Sequence, residues 1–225
     1  MPHHAGRPPY PTDASAPSMP EDQSAGIGPV EGVCALVLAA GQGSRYRERT
    51  DEDKLLASST GSPDAPAVLA STLTALVGVV ERTVVVTRSD NQALLAWLDA
   101  FAEPLGAEVF VIHSDGLGHS LAQAVAHYPA AQGWLVVLGD MPYVSRASIR
   151  RIASTITPDR LIAPCHNGQR GHPRGIGTNH GAALMRLEGE RGAQALFGQE
   201  TVIEIDVDDP GVLQDIDRPE DRRNG

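Results

Sequence analysis

The chain has 225 residues, a length that suits one domain or one domain with a tail, and 41% of its residues are hydrophobic. It carries 28 acidic and 18 basic residues, and the resulting formal net charge of −10 argues against binding to nucleic acid or to an anionic membrane surface. Two cysteines do not make a disulfide framework and no apolar run of about 18 residues occurs, so the sequence argues against a secreted or membrane-spanning protein and predicts a cytoplasmic location.

The N-terminal segment, residues 1–31, is predicted to be a disordered tail. It is rich in proline, mixed with Ser, Asp, Gly and His, and it shows no hydrophobic period. Such a composition cannot bury enough apolar surface to offset the entropy lost on ordering. The segment matches neither a signal peptide nor a transit peptide. We therefore expect one folded domain over residues 32–225.

Short apolar runs alternate with helical patterns from Gly32 onwards. Continuous apolar or β-branched runs predict strands, and apolar residues at a spacing of three to four predict helices. The order is strand 33–38, helix 67–80, strand 82–87, helix 91–101, strand 107–112, helix 120–128, strand 134–138, helix 145–156, and strands 160–163 and 201–205. This alternation is typical of a single α/β domain with a Rossmann-like, doubly wound, mostly parallel sheet and helices on both faces. Ligands of such sheets bind beyond the carboxyl ends of the strands.

A glycine-rich turn follows the first predicted strand. Its small residues let a ligand approach the backbone closely, and its successive N–H groups suit an anion. Arg45 and Lys54 would add the positive charge that a triphosphate needs. The turn lacks the third glycine of the dinucleotide motif and is not a P-loop, so an ordinary glycine-rich turn stays open as the alternative.

Asp140 follows the central predicted strand, where a carboxylate can bind a hard cation. Carboxylate and phosphate oxygens are the ligands that Mg²⁺ prefers. The alternative is an N-cap for the next helix, but Ser145 is better placed for that role. We therefore favour Asp140 as a metal ligand.

Three further segments are candidates for function. A glycine-containing stretch with Gly118 and Ser120 opens a helix, where it suits either a nucleotide site or an ordinary loop. Residues 165–177 read as a long polar loop, a feature that is often functional. Asp215 and Asp217 would share one side of an extended chain, although a solvated acidic terminus explains them equally well.

Four motifs together carry a resemblance to a known family. They are LAAGQGSR at residues 38–45 with Lys54 downstream, GDMP at 139–142, RGHP at 170–173 and DIDRPED at 215–221. The first is shared across the nucleotidyltransferase superfamily, and the other three are more specific. With them, the chain resembles the molybdenum cofactor cytidylyltransferase branch of that superfamily.

The resemblance implies roles for the matching residues. Arg45 and Lys54 would neutralise the β- and γ-phosphates, and Asp140 would bind Mg²⁺ with Asp217 as the second acid. Arg45, Lys54 and Asp140 would be the catalytic residues. Acceptor-binding residues would be Arg170 and His172. The nucleotide would be bound by seven residues: Leu38, Ala39, Ala40, Gly41, Gly43, Gly118 and Ser120.

The reaction implied by the resemblance is Mg²⁺-dependent transfer of CMP from CTP to the terminal phosphate of molybdenum-molybdopterin, with release of pyrophosphate. Ala40 favours CTP over GTP. The implied partners are CTP, a molybdopterin-type acceptor and a client molybdoenzyme or its chaperone. Another nucleotidyltransferase, making a guanylyl cofactor or a sugar nucleotide, is one alternative. A non-catalytic nucleotide-binding or delivery protein for molybdoenzymes is the other.

The sequence departs from the pattern of this branch at three places. Nine positions separate Arg45 from Lys54, more than is usual in the family. Arg218 stands where threonine is usual, and Arg174 replaces an apolar residue after the RGHP motif. The longer loop bears on the assignment of Lys54, and the two arginines bear on the identity of the acceptor.

Overall fold

The computed structural model describes residues 28–113, 116–189 and 192–223. One sheet of eight strands runs through these residues. Its strands are β1 Val30–Leu38, β2 Val80–Arg88, β3 Glu108–Ile112, β4 Gly133–Leu138, β5 Leu161–His166, β6 Gln169–Arg170, β7 Arg174–Gly177 and β8 Val202–Asp206. The α-helices are α1 Ser44–Arg47, α2 Val68–Leu76, α3 Gln92–Phe101, α4 Leu117–His127, α5 Arg146–Ala153, α6 Gly181–Leu184 and α7 Gln194–Gln199.

The first half of the sheet is parallel, in the order β3-β2-β1-β4. Strand β1 pairs in parallel with both β2 and β4 and is buried from Val33 onwards. Ala35 and Val37 of β1 pack into one apolar cluster, whereas Leu36 packs into a second cluster on the opposite face. A strand covered on both faces needs apolar residues at every position, which explains the continuous apolar run. The predicted α/β fold with a mostly parallel sheet is confirmed.

The four predicted helices all occur, with ends that lie within four residues of the predicted ones. The predicted helix 67–80 stops at Leu76, because Gly78 adopts a left-handed conformation with a φ of 63° and Val80 begins β2. The side chain of Asn91 caps α3 by accepting a hydrogen bond from the N–H of Leu94. Ser145 caps α5, as expected from the sequence.

The second half of the sheet contains antiparallel strands that the sequence did not predict. The prediction of a polar loop over residues 165–177 is wrong, because this segment forms the end of β5, then β6 and β7. Strand β7 lies between β4 and β5 and is antiparallel to both. Gly171 passes so close to a neighbouring segment that an added Cβ would lie 2.1 Å from the carbonyl oxygen of Val212. Strands β6 and β7 have two and four residues, which is too short to show a hydrophobic alternation.

The folded part includes residues on the N-terminal side of the predicted domain boundary. Strand β1 begins at Val30, and the guanidinium of Arg150 donates to the carbonyl of Gly28 at 2.9 Å. The rest of the predicted tail, residues 1–27, lies outside the described residues. Among the described helices, none has the length and apolar character needed to cross a bilayer.

Candidate active site

Two basic and two acidic side chains form one ion-pair network at the carboxyl ends of β1 and β4. The ammonium of Lys54 lies 2.6 Å from Asp140 Oδ2 and 3.5 Å from Asp217 Oδ1. Arg45 lies 2.5 Å from the other carboxylate oxygen of Asp217. The side chains of Lys54 and Asp140 are only 13% and 19% exposed, whereas that of Arg45 is 68% exposed. The pair between Lys54 and Asp140 is therefore the shielded centre of the network.

Asp140 is held in place through its main chain and its neighbour. The N–H of Gly139 donates to the carbonyl of Leu38 at 3.0 Å, which joins the ends of β4 and β1. The Thr72 hydroxyl donates to the carbonyl of Gly139 at 3.1 Å. The carbonyl of Asp140 itself accepts from the N–H of Ile216 at 3.0 Å. These bonds leave the carboxylate of Asp140 as the group that faces Lys54.

Lys54 is positioned by the residue before it. The carboxylate of Asp53 accepts from the N–H of Leu55 at 2.9 Å and from the Asn91 side chain at 2.8 Å. The carbonyl of Leu55 accepts from the N–H of Leu69 in α2. The segment after the long loop is therefore tied to the starts of α2 and α3. This anchoring brings Lys54 to Asp140 despite its distance from Arg45 in the sequence.

The ionisation of the network follows from its charges. Burial alone would lower the pKa of Lys54, but the neighbouring carboxylates of Asp140 and Asp217 outweigh burial and raise this pKa above its ordinary value. Because its pKa is raised, Lys54 is fully protonated at neutral pH. Burial, assisted by the charges of Asp140 and Asp217, also raises the pKa of Asp215.

Asp217 lies in a turn that is stabilised by the carboxylate of Asp221. The side chain of Asp221 accepts from the N–H of Asp217 at 3.0 Å and from the N–H of Arg218 at 2.6 Å. Ile216 is fully buried and anchors this turn to the core. Asp217 thus projects from a fixed segment toward Lys54, while Asp221 is used within the turn.

The glycine-rich turn lines two cavities beside the network. In the turn, Gly43 has a left-handed φ of 60° immediately before α1, a conformation that favours glycine. One cavity of about 250 Å³ is lined by Leu38, Gly41, Gln42, Gly43, Arg47, Asp53, Lys54, Leu55, Leu117, Leu138 and Asp140. The other, of about 240 Å³, is lined by Ala39, Ala40, Gly41, Gln42, Arg47, Arg88, Asp90 and Asn91. Small residues, cations and carboxylates therefore surround space for a phosphate-bearing ligand.

Comparison with known families identifies the family of this chain. Residues 35–203, more than half of the chain, match the MobA-like NTP transferase domain family. The chain belongs to this family. It is a nucleotidyltransferase of the MobA-like type, and a transferase activity goes with the family. No significant match is found among curated protein sequences.

Several solved structures share the fold of this chain. Rv0371c from Mycobacterium tuberculosis has 27% identity and a TM-score of 0.69, covering 84% of this chain and 95% of its own. Its complex with manganese has the same identity and coverage, with a TM-score of 0.63. A nucleotidyl transferase from Methanothermobacter thermautotroptrophicus has 22% identity and a TM-score of 0.67, covering 84% of this chain and 93% of its own. The last of these likenesses is one of fold alone.

The predicted metal ligands can be compared with the donors that a divalent cation needs. Asp140 and Asp217 approach the same ammonium, so one small cation could lie near both carboxylates. Asp140 Oδ1 is buried and has no hydrogen-bond partner. Across the described ranges, no cluster of three His, Cys, Asp or Glu residues suited to a metal occurs. Two carboxylates fit Mg²⁺ or Mn²⁺ when substrate phosphates and water supply the other ligands.

Gly118 and Ser120, both predicted to bind nucleotide, lie in the packed first turn of α4. The N–H of Gly118 donates to the carbonyl of Gly189 at 2.8 Å, and an added Cβ would lie 2.8 Å from the carbonyl oxygen of Glu188. The hydroxyl of Ser120 is bonded to the carbonyl of Gly116 at 2.9 Å, and the residue is 1% exposed. From this turn it is Leu117 that lines the cavity beside Lys54.

The two predicted acceptor-binding residues, Arg170 and His172, lie in different surroundings. Arg170 is exposed on β6, where its guanidinium pairs with Glu204 of β8 at 2.7 Å. His172 lines a third cavity together with Arg174. Arg174, Asp53 and Asn91 were not predicted to be site residues. The unusual arginine after the RGHP motif was the available signal for Arg174, and no motif marks the other two.

Proposed function

We propose that this nucleotidyltransferase transfers CMP from CTP to the terminal phosphate of molybdenum-molybdopterin and releases pyrophosphate. The observation that carries the proposal is the ammonium of Lys54, which lies between Asp140 and Asp217 beside the glycine-rich turn. Membership of the MobA-like family supports nucleotidyl transfer. The RGHP and DIDRPED motifs support the molybdopterin acceptor by resemblance.

The transfer needs little acid–base chemistry. An oxygen of the acceptor phosphate, already anionic, attacks the α-phosphorus of CTP. The bond from the α-phosphorus to the oxygen that bridges to the β-phosphate breaks, and both electrons leave with pyrophosphate. Catalysis then consists of positioning and of stabilising the charge that develops on the leaving group. The proposed mechanism needs no general base, because the attacking phosphate oxygen already carries a negative charge.

Lys54 and Arg45 supply the positive charge for the leaving group. The pKa of Lys54 lies above its ordinary value because two carboxylates offset its burial, so the ammonium keeps its proton throughout the reaction. Its low exposure strengthens its interaction with a phosphate, since water screens it less. Arg45 is exposed and is suited to guiding the triphosphate toward the glycine-rich turn.

Asp140 and Asp217 would hold the divalent cation, which we take to be Mg²⁺. When bound, such a cation polarises phosphoryl oxygens and neutralises part of their charge. The unpartnered Oδ1 of Asp140 supports this role, and the manganese complex of Rv0371c supports a divalent cation in a related structure. Before the cation binds, the ammonium of Lys54 lies between the two carboxylates, where it offsets their mutual repulsion and holds them in position.

The choice of CTP rests on the glycine-rich turn. Ala39 and Ala40 lie at the wall of the cavity next to this turn, and the resemblance associates this alanine pattern with a pyrimidine. Discrimination by the size of one small pocket is modest, about 1–3 kcal/mol. We therefore expect GTP to react measurably, but more slowly than CTP.

The proposal is tested by pyrophosphate release from each of the four ribonucleoside triphosphates, with Mg²⁺ and molybdenum-molybdopterin present. We expect CTP to give the highest kcat/KM and omission of the acceptor to stop release. Faster turnover with GTP would overturn the choice of base. CTP binding without turnover would instead support a non-catalytic nucleotide-binding or delivery protein. Turnover with a sugar phosphate but not with the pterin would place the enzyme among the sugar-nucleotide transferases.

A further inference from the structure

A third cavity lies next to the glycine-rich turn. It has a volume of about 310 Å³ and is lined by Leu38, Leu117, Leu121, Val136, Leu138, His172, Arg174, Ile176, Gly192, Ala193 and Gln194. Three of these residues, Leu38, Leu117 and Leu138, also line the cavity that contains Lys54 and Asp140. The two cavities therefore adjoin at the carboxyl ends of β1 and β4. A ligand in the third cavity would lie beside the ion-pair network.

Two polar side chains in the wall of this cavity each have a nitrogen without a hydrogen-bond partner. His172 Nδ1 and Arg174 Nε are both buried without a hydrogen bond. The guanidinium carbon of Arg174 lies 4.7 Å from the ring centroid of Phe197, an arrangement typical of a cation–π contact. Within the described ranges, no carboxylate lies within ion-pair distance of Arg174. A guanidinium that stacks on a ring keeps its N–H groups available to a ligand.

The charges of the two side chains differ. Burial and then the charge of Arg174 lower the pKa of His172 to about 4, so its imidazole is neutral at physiological pH. Burial and then the charge of Arg170 lower the pKa of Arg174, yet a guanidinium keeps its proton in proteins. The third cavity therefore combines apolar walls, one positive charge and one neutral hydrogen-bonding ring.

A partly buried cation without an anion is costly for a fold, because desolvation is not repaid. An anionic group on a ligand would repay that cost, and the leucine, valine and isoleucine side chains would cover an apolar ligand body. Arg170 cannot take this role in the same way, because Glu204 already neutralises it at the surface. The unpartnered arginine is thus the feature that selects the ligand.

We infer that the third cavity binds the acceptor substrate, through an apolar body enclosed by the cavity walls and an anionic group bound by Arg174 with His172 beside it. This inference rests on the proposed nucleotidyl transfer and adds to it the cavity and the residues that would bind the acceptor. The acceptor would be an organic anion with a flat or apolar portion, rather than a fully polar sugar phosphate. Arg174 is a binding residue here, since the reacting atoms would lie at the network of Lys54.

Direct binding tests the inference with phenyl phosphate as the probe, measured by calorimetry on the full chain. We expect wild-type protein to bind phenyl phosphate more tightly than inorganic phosphate or benzyl alcohol. Arg174→Gln should weaken binding at least about tenfold, and Arg174→Lys should retain part of it. Arg151→Gln removes an equal charge from the exposed end of α5 and should leave binding unchanged.

Two outcomes would overturn the inference. One is unchanged binding of phenyl phosphate to Arg174→Gln with loss of binding in Arg45→Gln, which would place the probe at the ion-pair network. The other is displacement of phenyl phosphate by CTP, with CTP binding verified separately, which would make the third cavity part of the nucleotide site. Simultaneous binding of both supports a separate acceptor cavity.

Stability and turnover complete the test. Removal of an unpartnered charge should leave the melting temperature of Arg174→Gln unchanged or higher, so lost binding would not reflect unfolding. In the transfer reaction, the same variant should raise the KM for the acceptor with little change in kcat or in the KM for CTP. Because phenyl phosphate binding needs no turnover, failure of the proposed reaction and failure of this inference give different results.

Discussion

The two adjoining cavities hold their charges in opposite ways. Lys54 lies between two carboxylates, so its charge is matched before any substrate arrives. Arg174 has an aromatic ring beside it and no anion among the described residues. The first arrangement is fixed by the protein and stabilises it, whereas the second gains its anion only from a ligand. In the proposed reaction, a substrate phosphate at Lys54 would share the ammonium with Asp140 and Asp217, whereas an anionic group at Arg174 would not share the guanidinium with a carboxylate.

This difference predicts opposite responses to mutation. Changes in the network should damage catalysis and, for Lys54, also the fold. Changes at Arg174 should affect ligand binding and leave the fold intact.

The largest effect is expected at Asp140. Asp140→Asn keeps the shape of the side chain but removes the charge that pairs with Lys54 and the donor proposed for Mg²⁺. Turnover should fall on the order of 10³-fold, within the range for loss of a group that stabilises charge in a transition state. The assay is pyrophosphate release against Mg²⁺ concentration at fixed CTP.

Glu220→Gln is the matched control for Asp140→Asn, because it removes a carboxylate from the exposed end of the same acidic segment. It should remain close to wild type. Near-normal turnover by Asp140→Asn would refute the proposed role of this carboxylate.

Lys54→Ala should lower kcat roughly 100-fold, because the leaving pyrophosphate loses its shielded cation. The same change leaves Asp140 and Asp217 facing each other, so the free energy of unfolding should fall by about 3 kcal/mol, the cost of breaking a largely buried pair. Mg²⁺ should restore more stability to this variant than to wild type. Chemical denaturation with and without Mg²⁺ measures both effects. A fully active variant would mean that another cation, such as Arg47 or Arg49, serves the phosphates.

Acid should destabilise the fold through His172, whose side chain lines the third cavity. His172 has a pKa of about 4 in the fold against an ordinary value of 6.5, so the unfolded chain binds its proton first as pH falls. Stability from this residue is present above pH 6.5 and is lost toward pH 4, by about 2–3 kcal/mol. His172→Gln should remove that part of the pH dependence. The prediction would be contradicted if the free energy of unfolding changed equally in wild type and in His172→Gln between pH 7 and pH 4.

Arg45→Gln should have the smallest effect. The side chain is largely exposed, and exposed ion pairs contribute little to stability. We expect the KM for CTP to rise by about threefold, more at low salt than at high salt, with the melting temperature unchanged. Arg186→Gln, on the exposed surface near α6, is the control for loss of one charge. An effect as large as that of Lys54→Ala would place Arg45 at the reacting phosphate.

The parts of the fold that were predicted correctly carry their signal locally. The buried runs of β1, β2 and β4 need no knowledge of their neighbours, because a strand covered on both faces is apolar throughout. Ser145 was identified as a helix cap because capping depends on residues only three positions away. Strand β7 was missed because its pairing with β4 depends on contacts between distant parts of the chain. Strand β6 instead pairs locally with β5 across Asn167 and Gly168, a tight turn of left-handed residues, and was missed because it has only two residues.

The same distinction between local and long-range signals applies to the residues of the candidate site. Arg45, Lys54, Asp140 and Asp217, which the motifs singled out, lie together in the structure, and their chemical roles stay predictions. The sequence did not reveal that Arg170 would pair with Glu204 on another strand, or that Arg174 would face a cavity. Residues that act by supporting a neighbour, such as Asp53, carry no motif and become visible only in the folded chain.

The pair between Arg45 and Asp217 joins residues 172 positions apart, and the main chain beside Asp217 is bonded to that of Asp140. During synthesis, the parallel strands β1 to β4 leave the ribosome well before this last acidic turn does. The nascent protein would thus possess its glycine-rich turn and Lys54 while still lacking one of the two carboxylates beside that lysine. Proteolytic removal of the segment after β8 should likewise take Asp217 away from Lys54, and it would also remove the buried side chains of Val212 and Ile216, so both transfer and stability should fall.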